Sequence, residues 1–148
     1  MYERLGRTIY IVIRPFLHYV MSGKPRVRGL LVADDEVLLV RNWLGSQEWT
    51  FSGGGLSGGE SSQQALIREV SEELGLNLDQ ATFRKVLACD ETEGSANFTV
   101  TILEAPIDKN AEFKVKFPEI IEASWFPINM LPENTKTIVS EAIKARKK

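Results

Sequence analysis

Cysteine is nearly absent from this chain: Cys89 stands alone among 148 residues, so no internal disulfide can form and a reducing, cytoplasmic setting is expected. Its neighbours Val86, Leu87 and Ala88 read as a strand, and no histidine lies close in sequence, so Cys89 is expected to be a plain buried thiol. Histidine is equally scarce. His18 is the single one, and it sits in an apolar stretch where packing is the expected role rather than catalysis. No run of 18 apolar residues exists, which excludes a hydrophobic membrane-spanning helix. The apolar run near the start is short and lacks a small-residue cleavage site, so a signal peptide is not expected. Internal repeats, low-complexity tracts and linkers are also missing. What remains is an ordinary globular composition, 43% apolar and 26% charged. A chain of this length makes one domain that buries about two-thirds of its unfolded surface.

Charge is unevenly spread. Residues 1–28 hold six basic residues against one acid, whereas the remainder has 12 basic and 19 acidic residues. A net acidic body argues against long nucleic acid on the main surface, though not against one nucleotide held through a cation. Residues 1–24 form an apolar and basic extension, with Thr8–Ile13 and Phe16–Met21 interrupted by Arg14-Pro15. Two expectations stand for it. One is a helix or helix pair packed on the domain or on a second subunit, as in a homodimer. The other is weak contact of an amphipathic segment with an anionic membrane surface.

From residue 25 onward the chain reads as one α/β domain, 25–148. Val27–Ala33 and Glu36–Arg41 are β-rich runs separated by Asp34-Asp35, a hairpin signal. Trp49–Phe51 reads as a short strand, followed by a loop over Gly53-Gly54-Gly55. Ser61 or Ser62 can cap a helix whose buried stripe is Ala65, Leu66, Val70 and Leu74, and which Gly75 ends. Further strands are expected over Phe83–Cys89, Phe98–Glu104 and Glu122–Phe126, with Asp90–Asn97 as a polar loop. A closing helix is expected over Thr135–Lys144. Strands mixed with two helices predict a mixed β-sheet with helices on both faces.

Within the first helix, Glu69, Glu72 and Glu73 fall at i, i+3 and i+4 on one face. Like charges at that spacing repel, by a few tenths of a kcal/mol per pair. The cluster makes chemical sense around a cation, and oxygen-only ligands suit Mg²⁺, with Mn²⁺ as substitute.

Gly54, Glu60, Arg68, Glu69, Val70, Glu72, Glu73, Gly75 and Leu76 fill every specified position of a pattern in which a glycine precedes a glutamate by six residues and an Arg-Glu pair follows. In this the chain resembles the Nudix hydrolases. The resemblance implies an α/β/α sandwich with a mixed β-sheet and a loop–helix–loop catalytic box. It also implies a metal-dependent pyrophosphohydrolase that cleaves a diphosphate linkage in a nucleoside diphosphate joined to another moiety. On that reading Glu69, Glu72 and Glu73 hold the metal, with Gly54 bringing backbone close to it, and water attacks phosphorus. Arg68 belongs to the same catalytic set, and its expected ion pair with Glu60 ties the glycine loop to the helix. Many members carry proline just before the glycines, where this chain has Ser52; that change is expected to loosen the loop and leave the metal ligands untouched.

Substrate contacts are expected from Gly54, Gly55, Arg41 and Trp43, with Arg28 a further candidate for a phosphate and Trp43 for stacking on a nucleobase. Glu119, Glu91 and Glu93 are the candidate general bases outside the helix. Two other functions stay open: a non-catalytic nucleotide or ADP-ribose sensor, and an interaction protein working through residues 1–24.

Overall fold

The computed structural model describes residues 23–147, apart from 44, 94 and 95 and the side chain of Glu93. The expectations for residues 1–22, including His18, the membrane contact and the dimer contact, lie outside the described residues. No helix among those described is long and apolar enough to cross a membrane.

β1 (Arg26–Ala33) and β2 (Glu36–Asn42) form the expected hairpin, with Asp34 taking a positive φ of 51° in the tight turn. They pair only near the turn, where Val32 faces Val37. Further along, β1 leaves β2 and takes β4 (Ser52–Gly55) as an antiparallel neighbour, Val27 opposite Gly54 and Arg28 opposite Gly53. The glycine segment expected as a loop is therefore a strand. Its backbone groups are bonded to β1, which fixes the glycines in place. β3 (Trp49–Thr50) pairs with β2.

β5 (Arg84–Glu93) and β6 (Ala96–Pro106) form a long hairpin, and β6 runs parallel to β1. The polar stretch 90–97 is thus mostly strand, against expectation. Side chains such as Thr99, which donates to Asp90, pair across it, and cross-strand partners satisfy polar residues as readily as a loop does. β7 (Ile120–Pro127) covers the other side of β2 and completes a mixed seven-stranded sheet.

Two helices cover the two faces. α1 (Ser62–Leu74) buries Ala65, Leu66, Val70 and Leu74 against Val27, Leu31, Leu38, Val40 and Leu103. α2 (Thr137–Arg146) buries Ile138, Val139, Ala142 and Ile143 against Leu30, Val32, Val37, Leu39, Val100 and Ile102. Neighbours in each central strand go to opposite clusters, as the period of two demands. The architecture is the α/β/α sandwich. Cys89 packs at the margin of the α2 cluster and is half-buried rather than fully buried. Burial and the charges of Glu91, Glu141 and Asp90 raise its pKa, so the thiol stays protonated.

Candidate active site

Ser61 caps α1: its hydroxyl accepts the Gln64 N–H at 3.1 Å, and the Gln64 side chain accepts the Ser61 N–H at 2.9 Å. Gly75 ends the helix at φ 67°, donating to the Ser71 carbonyl at 3.0 Å. The last carbonyls, of Glu73 and Leu74, accept the N–H groups of Lys116 and Lys114, each at 2.9 Å. Those bonds bring the segment leading to Phe117 and Glu119 alongside the helix end.

Glu73 joins the buried stripe and is 6% exposed. It stands three residues after Val70 and seven after Leu66, so helical geometry turns it inward. Its Oε2 accepts the Ser52 hydroxyl, and also the Gly53 N–H at 3.1 Å. Burial pushes its pKa up to about 7 against the pull of the Ser52 bond and of Arg28, with the charge of Glu69 adding to the rise. Arg28 reaches the same segment, donating to the carbonyls of Phe51 at 3.3 Å and Gly53 at 3.4 Å. Ser52 does not leave the acids untouched, as the sequence suggested; it is one of Glu73's two donors. The missing proline was the sole sign of it.

Glu69 lies against β4. A Cβ built on Gly54 would stand 2.5 Å from the Glu69 carboxyl carbon, so glycine alone leaves that carboxylate its place. Burial raises the Glu69 pKa, opposed by Arg68 and reinforced by Glu72 and Glu119. Glu72 is the outermost of the three, its side chain 56% exposed.

Arg68 binds these parts together. It donates Nε to Glu60 Oε2 at 3.0 Å, Nη2 to the Gly55 carbonyl at 3.0 Å and Nη1 to Glu69 at 3.0 Å, with Glu72 at 3.4 Å. Glu60 in turn accepts the Ser57 N–H at 2.8 Å, and its pairing with Arg68 holds its pKa below the ordinary range. Among the described residues no group of three or more His, Cys, Asp and Glu side chains stands ready-made around a cation position. Arg68 is the positive charge that Glu69 and Glu72 share here.

Of the outlying acids with described side chains, Glu119 is the one whose charge reaches Glu69; the side chain of Glu93 lies outside the described residues. Glu91 sits on β5 beside Cys89. Arg41 is occupied: its Nε donates to Glu122 at 2.9 Å, and its guanidinium lies over the Trp49 ring at 5.3 Å. Trp43 is tied to the Glu119 segment by its N–H, which donates to the Glu119 carbonyl at 3.0 Å. Its ring stands 5.9 Å from that of Phe117, tilted by 53°. With Val115, Ile120 and Ile121 these rings wall an open cleft of about 560 Å³. Phe117 is 52% exposed, a solvent-facing aromatic that no sequence pattern had marked.

Comparison with known proteins gives the family and the fold. The family model described as NUDIX domain matches residues 23–146. Over 116 residues the chain is 41% identical to an RNA pyrophosphohydrolase of Teredinibacter turnerae, covering 76% of this chain and 60% of that protein. A shorter match of 42 residues, 43% identical, covers 28% of this chain and 38% of an 8-oxo-dGTP diphosphatase of Proteus vulgaris. The chain thus spans less than two thirds of the length of the curated relatives it matches. Among solved structures, a MutT NUDIX hydrolase from Burkholderia pseudomallei superposes with a TM-score of 0.73 at 21% identity, over 83% of this chain and 97% of that one. At that identity the likeness is one of fold.

Proposed function

This chain belongs to the NUDIX family, and on that footing we propose that it is a metal-dependent pyrophosphohydrolase acting on a nucleoside diphosphate linked to another moiety. The observation that carries this reading is the contact of Glu69 with Gly54, beside Glu72 and the buried Glu73. A glycine strand and three acids from one helix turn gather carboxylate oxygens at that point, with the Arg68 guanidinium on Glu69 and Glu72.

The donor set fits a hard divalent cation, Mg²⁺ first and Mn²⁺ as substitute. Glu69, Glu72 and Glu73 would hold it, with the Gly54 backbone beside them. Both hydrogen bonds to Glu73 fall on Oε2, which would leave Oε1 to the ion. When bound, the cation neutralises diphosphate charge and acidifies water. The chain's own groups do the rest. Ser52, Gly53 and Arg68 hold the carboxylates in place before substrate arrives. Arg68, anchored by Glu60 and Gly55, keeps β4 against α1 and acts as a positioning residue. Glu119, exposed at the edge of the acid group, takes the proton from the attacking water. Trp43 and Phe117 receive the base of the nucleotide on the cleft beside Glu119. Arg41, engaged by Glu122, is assigned an outer contact with substrate phosphate, secondary to the acids.

A hydrolysis screen read by chromatography of the products, over nucleoside triphosphates, ADP-ribose, nucleotide sugars, dinucleoside polyphosphates and 5′-triphosphate RNA, with Mg²⁺ or Mn²⁺, tests this reading beside Glu72→Gln. One class turned over by wild type, and at least about 100-fold more slowly by the variant, supports it. Equal rates in the two proteins remove Glu72 from the site. Nucleotide binding without turnover of any substrate points to a sensor instead.

A further inference from the structure

We propose that the cleft between the start of β5 and the end of α2 is a second anion site, one that binds a phosphoryl group on the sheet face opposite the box. The cleft has a volume of about 500 Å³ and is walled by Thr82, Phe83, Arg84, Glu104, Arg146 and Lys147, with Pro106 at its rim. Glu104 follows Ile102 by two residues on β6, so it projects to the α2 side, away from α1 and its acids.

The charges in this cleft do not balance. Glu104 is 8% exposed and takes both arginines: Arg84 on Oε2, with Nε at 3.1 Å, and Arg146 on Oε1, with Nε at 2.5 Å. Burial opposes its ionisation, but the two guanidiniums more than offset that and hold its pKa below the ordinary range. Among the described residues one carboxylate therefore answers two guanidiniums and the ammonium of Lys147. The end of α2 supplies about half a negative charge more, and the Arg146 carbonyl accepts Arg84 Nη2 at 3.4 Å. A surplus of more than one positive charge still faces the cleft, on a chain whose formal net charge is −2.

The donors are also pre-arranged. Glu104 fixes each guanidinium through its Nε edge, so neither arginine has to be ordered when an anion arrives. Nη1 of Arg84 and both Nη atoms of Arg146 carry no side-chain bond among the described residues, and the Arg84 side chain is 56% exposed. Planar forks of that kind match the oxygens of a phosphoryl group. A clamp fastening α2 to the sheet would need one arginine on Glu104; the second, with Lys147, is surplus to that purpose.

The test is a titration of the full chain, without divalent metal, with inorganic phosphate, read by NMR at the arginine Nε–H groups and the backbone amides. Saturable shifts at Thr82, Arg84, Arg146 and Lys147 are expected. Lys147→Gln, at an exposed helix end, should keep the fold and weaken binding roughly two- to fivefold. Adding Arg84→Gln should weaken it by about tenfold or more. Adenosine monophosphate in place of phosphate separates the sources: tighter binding at the same residues identifies a nucleotide, equal binding the free ion. Shifts that chloride reproduces at matched ionic strength, that centre on α1, or that Lys147→Gln leaves unchanged would overturn the proposal.

Discussion

The hydroxyl of Ser52 donates to the carboxylate of Glu73, joining the last residue before the glycines to the most buried acid of α1. A proline there would have no such donor. The bond, with that of Gly53, is what allows a carboxylate to sit at 6% exposure under the sheet edge.

Ser52→Ala should lower stability by about 1–3 kcal/mol, because it leaves a buried carboxylate one donor short. The loss should be larger at pH 8, where Glu73 is ionised, than at pH 5. Urea denaturation at the two pH values measures it, and equal losses would mean that the bond does not discriminate between the two forms of Glu73.

The raised pKa of Glu73 has a definite sign in stability. Its ordinary value is 4.5, and in the fold it is about 7. Between those values the folded chain keeps a proton that the unfolded chain has lost, so stability falls as pH rises through that window and levels off above it. Glu69, also raised by burial, acts in the same direction. Glu73 alone contributes up to about 3 kcal/mol. Glu73→Gln keeps an acceptor for Ser52 and Gly53, so in chelator-treated buffer it should flatten the curve and be the more stable protein at pH 8. Parallel curves for the two proteins would show that Glu73 is not the group responsible.

Gly53 and Gly54 should fail differently when changed to alanine. At Gly53 the φ is 145° and a Cβ would lie 2.2 Å from the Val27 carbonyl oxygen, so the backbone must move. That should cost about 3 kcal/mol or more and lower the melting temperature sharply. At Gly54 the obstacle is the Glu69 carboxylate, the end of a side chain that can swing away. Gly54→Ala should therefore melt within a few degrees of wild type and lose about tenfold or more in turnover. Thermal melts beside a rate assay decide it; two equally unstable proteins would deny Gly54 a role in seating Glu69.

If the Trp43 and Phe117 rings receive a base, Phe117→Ala should raise KM about tenfold and leave kcat near wild type, in line with roughly 1–3 kcal/mol for stacking on one base. Its 52% exposure makes a large stability loss unexpected. A fall in kcat at constant KM would move Phe117 from substrate binding to the chemistry.

Much of this protein was settled by local sequence. The hairpin at Asp34, the cap at Ser61, the stop at Gly75 and the stripe Ala65, Leu66, Val70 and Leu74 depend on neighbours a few residues apart. The family pattern from Gly54 to Leu76 is local too, which is why the acids and the Arg68–Glu60 pair were legible. Tertiary structure decided the rest. The glycines became a strand because β1 offered them backbone partners from residues 26–29. Helix periodicity turned Glu73 inward, but its partners there, Ser52 and Gly53, came from 21 and 20 residues away. Arg41 was taken by Glu122, Trp43 met Phe117, and Glu104 gathered Arg84 and Arg146, each across a separation that no periodicity spans. Helix and turn preferences act within a few residues of chain, whereas a buried charge takes whichever partner the folded sheet brings within hydrogen-bonding distance.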